Sequence, residues 1–211
     1  MIGHAIIALG SVGFFVILAE IIANRNPRLS REITRKIAHI GIALVIALWP
    51  LYLGRGEIIG LGVIITLGVL LSVRFGLTSS IHSVTRKNYG ELMFGLAVIV
   101  AAAIAPTLAI FSTAILFLGL ADGLAAISGT LWGRTTSYKV LGDTKSVVGT
   151  MSFFFASVCI LFGYHLLVAP LPFFIALGIA LGATLLENIS IRGFDNLSVT
   201  LIVIGLLSIT L

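Results

Sequence analysis

The feature that most constrains this chain is the recurrence of long apolar runs. Eight stand out, at roughly 3–23, 33–53, 57–73, 91–110, 111–131, 147–168, 171–190 and 196–211, joined by short polar connections. Crossing the hydrocarbon of a bilayer takes about 20 mostly apolar residues, and only a helix or a closed barrel satisfies its own backbone groups there. The expected fold is therefore all-α, a polytopic transmembrane helical bundle of about 7–8 spans. The fourth and fifth runs are divided only by the turn at Pro106, and the last run is short enough to be tilted. Charged residues make up 10% of the chain, against about 25% in soluble domains. No polar stretch is long enough for a second domain, so residues 1–211 are expected to form a single integral membrane domain. The first run is not expected to be a signal peptide, because its basic cluster follows the apolar stretch instead of preceding it.

The charges are distributed unevenly. Arg25, Arg28, Arg31, Arg35 and Lys36 lie between runs one and two; Arg74, Arg86 and Lys87 between three and four; Arg134, Lys139 and Lys145 between five and six; Arg192 between seven and eight. These are alternate connections, so every lysine and arginine except Arg55 falls on one side. The positive-inside rule makes that side cytoplasmic and puts the N-terminus outside. It also accounts for the net charge of +5 without nucleic acid, for which a basic face with interleaved aromatics is missing. Glu32, Glu91, Asp122, Asp143, Glu187 and Asp195 gather on the same side, Glu20 lies near the inner end of run one, and Glu57 is external. Acids in or beside a span are costly in lipid and face a polar cavity or a partner. The lone Cys159 excludes an intrachain disulfide and is expected to be a small lipid- or core-facing residue. Trp49 and Trp132 are expected in interface belts and packing.

The densest polar region, about 119–150, is a candidate nucleotide site. Asp122 lies about three turns from the inner end of run five, and a buried aspartate needs a cation, a metal or a donor. Gly123, Gly129 and Gly133 leave room for a ligand or another backbone. The following loop supplies Lys139, Thr144, Lys145 and Ser146, the last three at the start of run six, where hydroxyls, amides and a lysine suit phosphate oxygens. Lys145-Ser146 is not a P-loop: Thr144 stands where glycine is required, and no preceding strand is expected. Asn188-Ile-Ser190 and Asn196-Leu-Ser198 match the glycosylation pattern but fall on the side expected to be cytoplasmic. His4, His82 and His165 stand in no motif.

The stretch Ala121-Asp122-Gly123 through Trp132-Gly133 to Lys145-Ser146-Val-Val-Gly149-Thr150 resembles the signature of the dolichol kinase, phytol kinase and CTP-dependent diacylglycerol kinase family. Arg35-Lys36-x-x-His39 resembles that family's Arg-Lys-x-x-His, and Arg86 through Gly90-Glu91-Leu92 its entry to a helix. Glu187 with Asp195-Asn196-Leu197 resembles its C-terminal Glu and Asp-Asn-Leu/Phe. The pieces keep their order over about residues 30–205, departing at Ala121, where the family often has Gly, and at Val148, where it often has Glu.

The resemblance implies phosphoryl transfer from CTP to the hydroxyl of a membrane-dissolved lipid alcohol, either an isoprenoid or diacylglycerol, with Mg2+ or a similar cation. Asp122, Lys145, Glu187 and Asp195 are the expected catalytic residues, with Asp122, Glu187 and Asp195 as metal ligands. Gly123, Gly129, Gly133, Lys139, Thr144, Ser146, Gly149 and Thr150 are expected at the nucleotide, and Arg35, Lys36, His39, Glu91 and Asn196 at the phosphate or lipid. A CTP:phosphatidate cytidylyltransferase is the alternative, but that family usually has Ser-Pro-Lys-Lys-Thr-x-Glu-Gly where this chain has Asp143-Thr144-Lys145-Ser146. A small transporter would favour inverted repeats, which the sequence lacks.

Overall fold

The computed structural model describes residues 2–26, 29–75, 89–190 and 193–211. Arg28, His82, Arg86, Lys87 and Arg192 lie outside the described residues. Eight helices follow one another among those described. They are α1 (Ile2–Arg25), α2 (Arg31–Leu48, continued by a 3-10 turn Trp49–Leu51), α3 (Arg55–Phe75), α4 (Gly90–Ile104), α5 (Leu108–Trp132), α6 (Val147–Leu167), α7 (Phe173–Ile189) and α8 (Asp195–Ser208). Five of them, α1, α2, α3, α5 and α6, are long and apolar enough to cross a membrane; α4, α7 and α8 are shorter apolar helices.

Helix ends follow local chemistry. Ser30 caps α2 by accepting from the Ile33 amide. Pro106 has no amide hydrogen to continue α4, and Thr107 then caps α5 by accepting from Ile110 at 3.2 Å. The break therefore falls at 105–107, a few residues before the expected boundary at 110. Arg55, the one basic residue the sequence sets apart from the others, closes the other end of α4. Its guanidinium donates to the carbonyls of Ala102 at 2.8 Å and Ala105 at 2.7 Å. Those carbonyls have no partner within the helix, and the negative end of its dipole favours a cation.

The core centres on α5. Ile110, Phe111, Ala114, Ile115, Phe117 and Leu118 are fully buried, and α2, α6 and α8 pack around them. Lipid offers no hydrophobic gain for joining helices, so close approach through small residues does the work. At the crossing of α2 and α5, a Cβ added to Gly119 would lie 1.8 Å from the Ala43 Cβ. One turn on, a Cβ at Gly123 would meet Ile40 at 2.3 Å. Trp49 is fully buried, a packing residue and not part of an interface belt, whereas Trp132 is exposed. Cys159 is exposed on α6, away from the core.

Two features depart from the sequence expectation. Within α5, residues Phe117–Ala121 form a π-helical turn directly before Asp122. The loop between α5 and α6 contains a hairpin, β1 (Ser137–Val140) paired antiparallel with β2 (Asp143–Ser146). Its two-residue turn takes Leu141 to φ 48° and Gly142 to φ 91°, which matches the twist of the strands but strains a leucine. A strand does precede α6, and Thr144 and Lys145 belong to it; only Ser146 stands at the helix start, accepting from the Gly149 amide at 3.0 Å. The P-loop remains excluded by its missing glycine and by a hairpin in place of a parallel sheet.

Candidate active site

At the end of the bundle where the charged connections converge lies a polar cavity of about 580 Å³. Its wall draws on α2, α4, α5, the hairpin, α6, α7 and α8. Three carboxylates share it. Asp122 of α5, Glu187 of α7 and Asp195 of α8 each offer an oxygen, and these oxygens lie within 4.8 Å of one another.

Each carboxylate is held differently. Lys36 of α2 donates to Asp122 Oδ2 at 2.5 Å, and His39, one turn further, puts Nε2 at 3.4 Å from the same oxygen. His39 Nε2 also lies 3.0 Å from the Leu118 carbonyl, inside the π turn. Both neighbours are acceptors, so this nitrogen carries the proton. The widened turn and the Gly119–Ala43 contact thus bring α2 to the depth where Lys36 and His39 meet Asp122. Lys145 of β2 pairs with Glu187 Oε1 and donates to the Glu187 backbone carbonyl at 3.0 Å. Burial works against charge on Lys145, but the Glu187 carboxylate outweighs it and holds the ammonium pKa above its ordinary value. Asp195 accepts from the Asn196 amide at 2.9 Å and, among the described residues, has no lysine at ion-pair distance. The Asn196 side chain is buried and donates to the Gly90 carbonyl at 2.6 Å, tying the starts of α8 and α4 together.

The glycines form a seat. A Cβ on Gly133 would come within 2.3 Å of Ser146 Oγ, and one on Gly149 within 3.0 Å of the Ala125 carbonyl. α5 and α6 therefore approach through Gly129, Gly133 and Gly149, and Ser146 sits in the crevice between them. Behind it, Asn188 donates to Tyr138 Oη at 2.6 Å and to Thr150 Oγ1 at 3.1 Å, which ties the hairpin to α6 and α7.

Of the residues singled out in the sequence, Arg35, Lys36, Asp122, Gly129, Gly133, Thr144, Lys145, Ser146, Gly149, Thr150, Glu187, Asp195 and Asn196 line the cavity. Four stand elsewhere. Gly123 packs on Ile40, Lys139 is exposed on β1, Glu91 faces a neighbouring apolar groove, and His39 lines that groove while touching Asp122. Tyr138 and Asn188 are supporting residues the sequence did not announce; a single tyrosine in a polar loop and an Asn-x-Ser triplet carry no positional signal. Arg35 is paired with Glu32 at 2.7 Å at the cavity rim.

Three acids contribute oxygen donors, the set that hard divalent cations take, and two lysines and a helix start beside them are groups able to bind phosphate oxygens. A curated protein named phytol kinase, from Synechocystis sp., is 35% identical over 213 residues, covering 95% of this chain and 87% of its own length. No family model matches the chain, and no solved structure matches it.

Proposed function

The chain belongs to the phytol kinase-like family of polyprenol kinases, and from that premise we propose that it transfers the γ-phosphoryl group of CTP to the hydroxyl of a membrane isoprenoid alcohol. The observation that carries this reading is the convergence of Asp122, Glu187 and Asp195 with Lys36 and Lys145 in one polar cavity at a helix-end face. Phosphoryl transfer asks mainly for positioning and charge neutralisation, and this constellation offers both.

Asp122, Glu187 and Asp195 would hold Mg2+, which when bound neutralises charge on the phosphates. The chain's own residues do the rest. Lys145 and the Ser146 cap bind phosphate oxygens beside the Gly129–Gly133 seat. Lys36 and His39 fix the Asp122 carboxylate. The lipid hydroxyl oxygen forms a bond to the γ-phosphorus, the bond from that phosphorus to the bridging oxygen breaks, and CDP leaves. The hydroxyl proton passes to a carboxylate oxygen of Asp195, the acid of the three with no lysine at ion-pair distance among the described residues. The basic connections support a cytoplasmic face for this chemistry, the side from which the nucleotide arrives.

The test is incubation of the purified protein in lipid with γ-labelled CTP, Mg2+ and a panel of phytol, polyprenols and diacylglycerol. Label should enter an isoprenoid alcohol with wild type and not with Asp122→Asn. A product carrying the mass of a CDP-lipid would replace this reading with the cytidylyltransferase. Absence of CTP binding would overturn the nucleotide site.

A further inference from the structure

Beside the polar cavity lies a second, apolar groove of about 320 Å³, within the range of small-ligand sites. It runs between α1, α2, α3 and α4 along Leu9, Val12, Ile42, Ile65 and Val69. Its polar residues are few: Arg35, His39, Ser72 and Glu91. Three of them mark the helix ends nearest the carboxylate cavity, where α2 and α4 begin and α3 approaches its C-terminus. The groove and the cavity share Arg35. They are also joined through His39, whose ring lines the groove while its Nε2 faces Asp122 at 3.4 Å.

We propose that this groove holds the isoprenoid chain of the lipid alcohol, entering sideways between α1 and α3, with the hydroxyl delivered past His39 to Asp122. This rests on the kinase reading above and adds the site that selects the substrate. Three observations carry it. The groove adjoins the reaction cavity, with Arg35 in the wall of both and His39 between the groove and Asp122, as a substrate with a reactive head and an inert tail requires. Its polarity is graded the same way, charged at the cavity end and apolar beyond. And α1 packs on α2 but touches α3 only lightly, which leaves an opening to the bilayer on the groove's flank. His39 is a positioning residue here, because its protonated nitrogen already serves Leu118 and Asp122.

Two glycines set the width. Gly13 of α1 and Gly68 of α3 line the groove, and a Cβ on either would meet nothing within 4 Å. A side chain at either position therefore starts in open space on the wall of the groove. Each methylene excluded from an apolar site costs about fourfold in affinity. Gly68→Phe and Gly13→Leu should raise KM for phytol by about tenfold or more, with kcat on the short alcohol geraniol and CTP affinity unchanged. The companion measurement is photolabelling of wild type with a diazirine-bearing farnesol analogue. Adducts are expected on Val12, Val16 or Val69 and should be competed away by phytol. Unchanged chain-length preference in both variants, or adducts only outside the groove, overturns the groove assignment even where kinase activity is intact. Labelling in the groove without transfer of phosphate to any alcohol would uphold the lipid site and remove the kinase reading. Equal competition by diacylglycerol would overturn the assignment to a single isoprenoid chain.

Discussion

Asp122 presents one carboxylate oxygen to two partners, Lys36 and His39, and all three side chains are almost enclosed. A buried ion pair gains less than its Coulomb energy suggests, but removing one member strands the other, at about 3–5 kcal/mol. Asp122→Leu should therefore lower the thermal midpoint in detergent sharply, and adding Lys36→Met should recover most of it without recovering activity. Recovery of both would remove Asp122 from the chemistry. Asp122→Asn keeps the shape and should lower the turnover by about 100-fold, the scale on which loss of a metal-holding group cuts activity. Chelation of divalent cations should abolish activity in the wild type and be reversed by Mg2+; full activity in excess chelator would sink the metal role of the three acids. Asp122 was legible in the sequence because an aspartate deep in an apolar run is costly. Glu187 and Asp195 were legible from their own chemistry only as acids near helix ends and as site residues through the family resemblance, while Gly123 packs on Ile40 outside the cavity, since a small residue marks a ligand seat and a helix crossing equally well.

Elements with short-range causes were legible and those without were not. The break at Pro106 and the Ser146 start of α6 each rest on chemistry within a few residues. The hairpin was missed because Leu141-Gly142 lacks the asparagine or aspartate that normally announces such a turn. Leu141→Asn should relieve the left-handed strain and stabilise the hairpin by about 1 kcal/mol, read as slower proteolysis of the 137–146 segment. Faster cleavage would mean the leucine holds the turn by some other contact. The π turn was missed for a related reason: no residue preference within Phe117–Ala121 announces it, and α2 meets it at Gly119 from far along the chain. At the opposite end, Arg55→Ala frees the carbonyls that close α4 and should cost about 2 kcal/mol of stability. A melting curve superimposable on wild type would show that water caps them as well.

For the whole molecule, the charge asymmetry read along the chain reappears as geometry. Helix ends of α2, α4, α5, α6, α7 and α8 next to the basic connections line one cavity, and Arg55 lies at the far end on the α4 terminus. With Cys159 replaced by Ala, a cysteine at Leu141 should react with a membrane-impermeant maleimide only from the cytoplasmic side. One at Leu51, exposed on the opposite end, should react only from outside. The reverse pattern would invert the proposed orientation.

The number of helices, their apolar character and the gathering of charge at alternate connections were set by the sequence alone, because hydropathy is a local property that each segment carries with it. The meeting of Asp122, Glu187 and Asp195, the pairing of each lysine with its own acid, and the groove behind His39 were decided only by tertiary structure. Those depend on how closely and at what depth helices cross. The crossings are fixed by contacts such as Gly119 on Ala43, between residues far apart in the chain and individually unremarked.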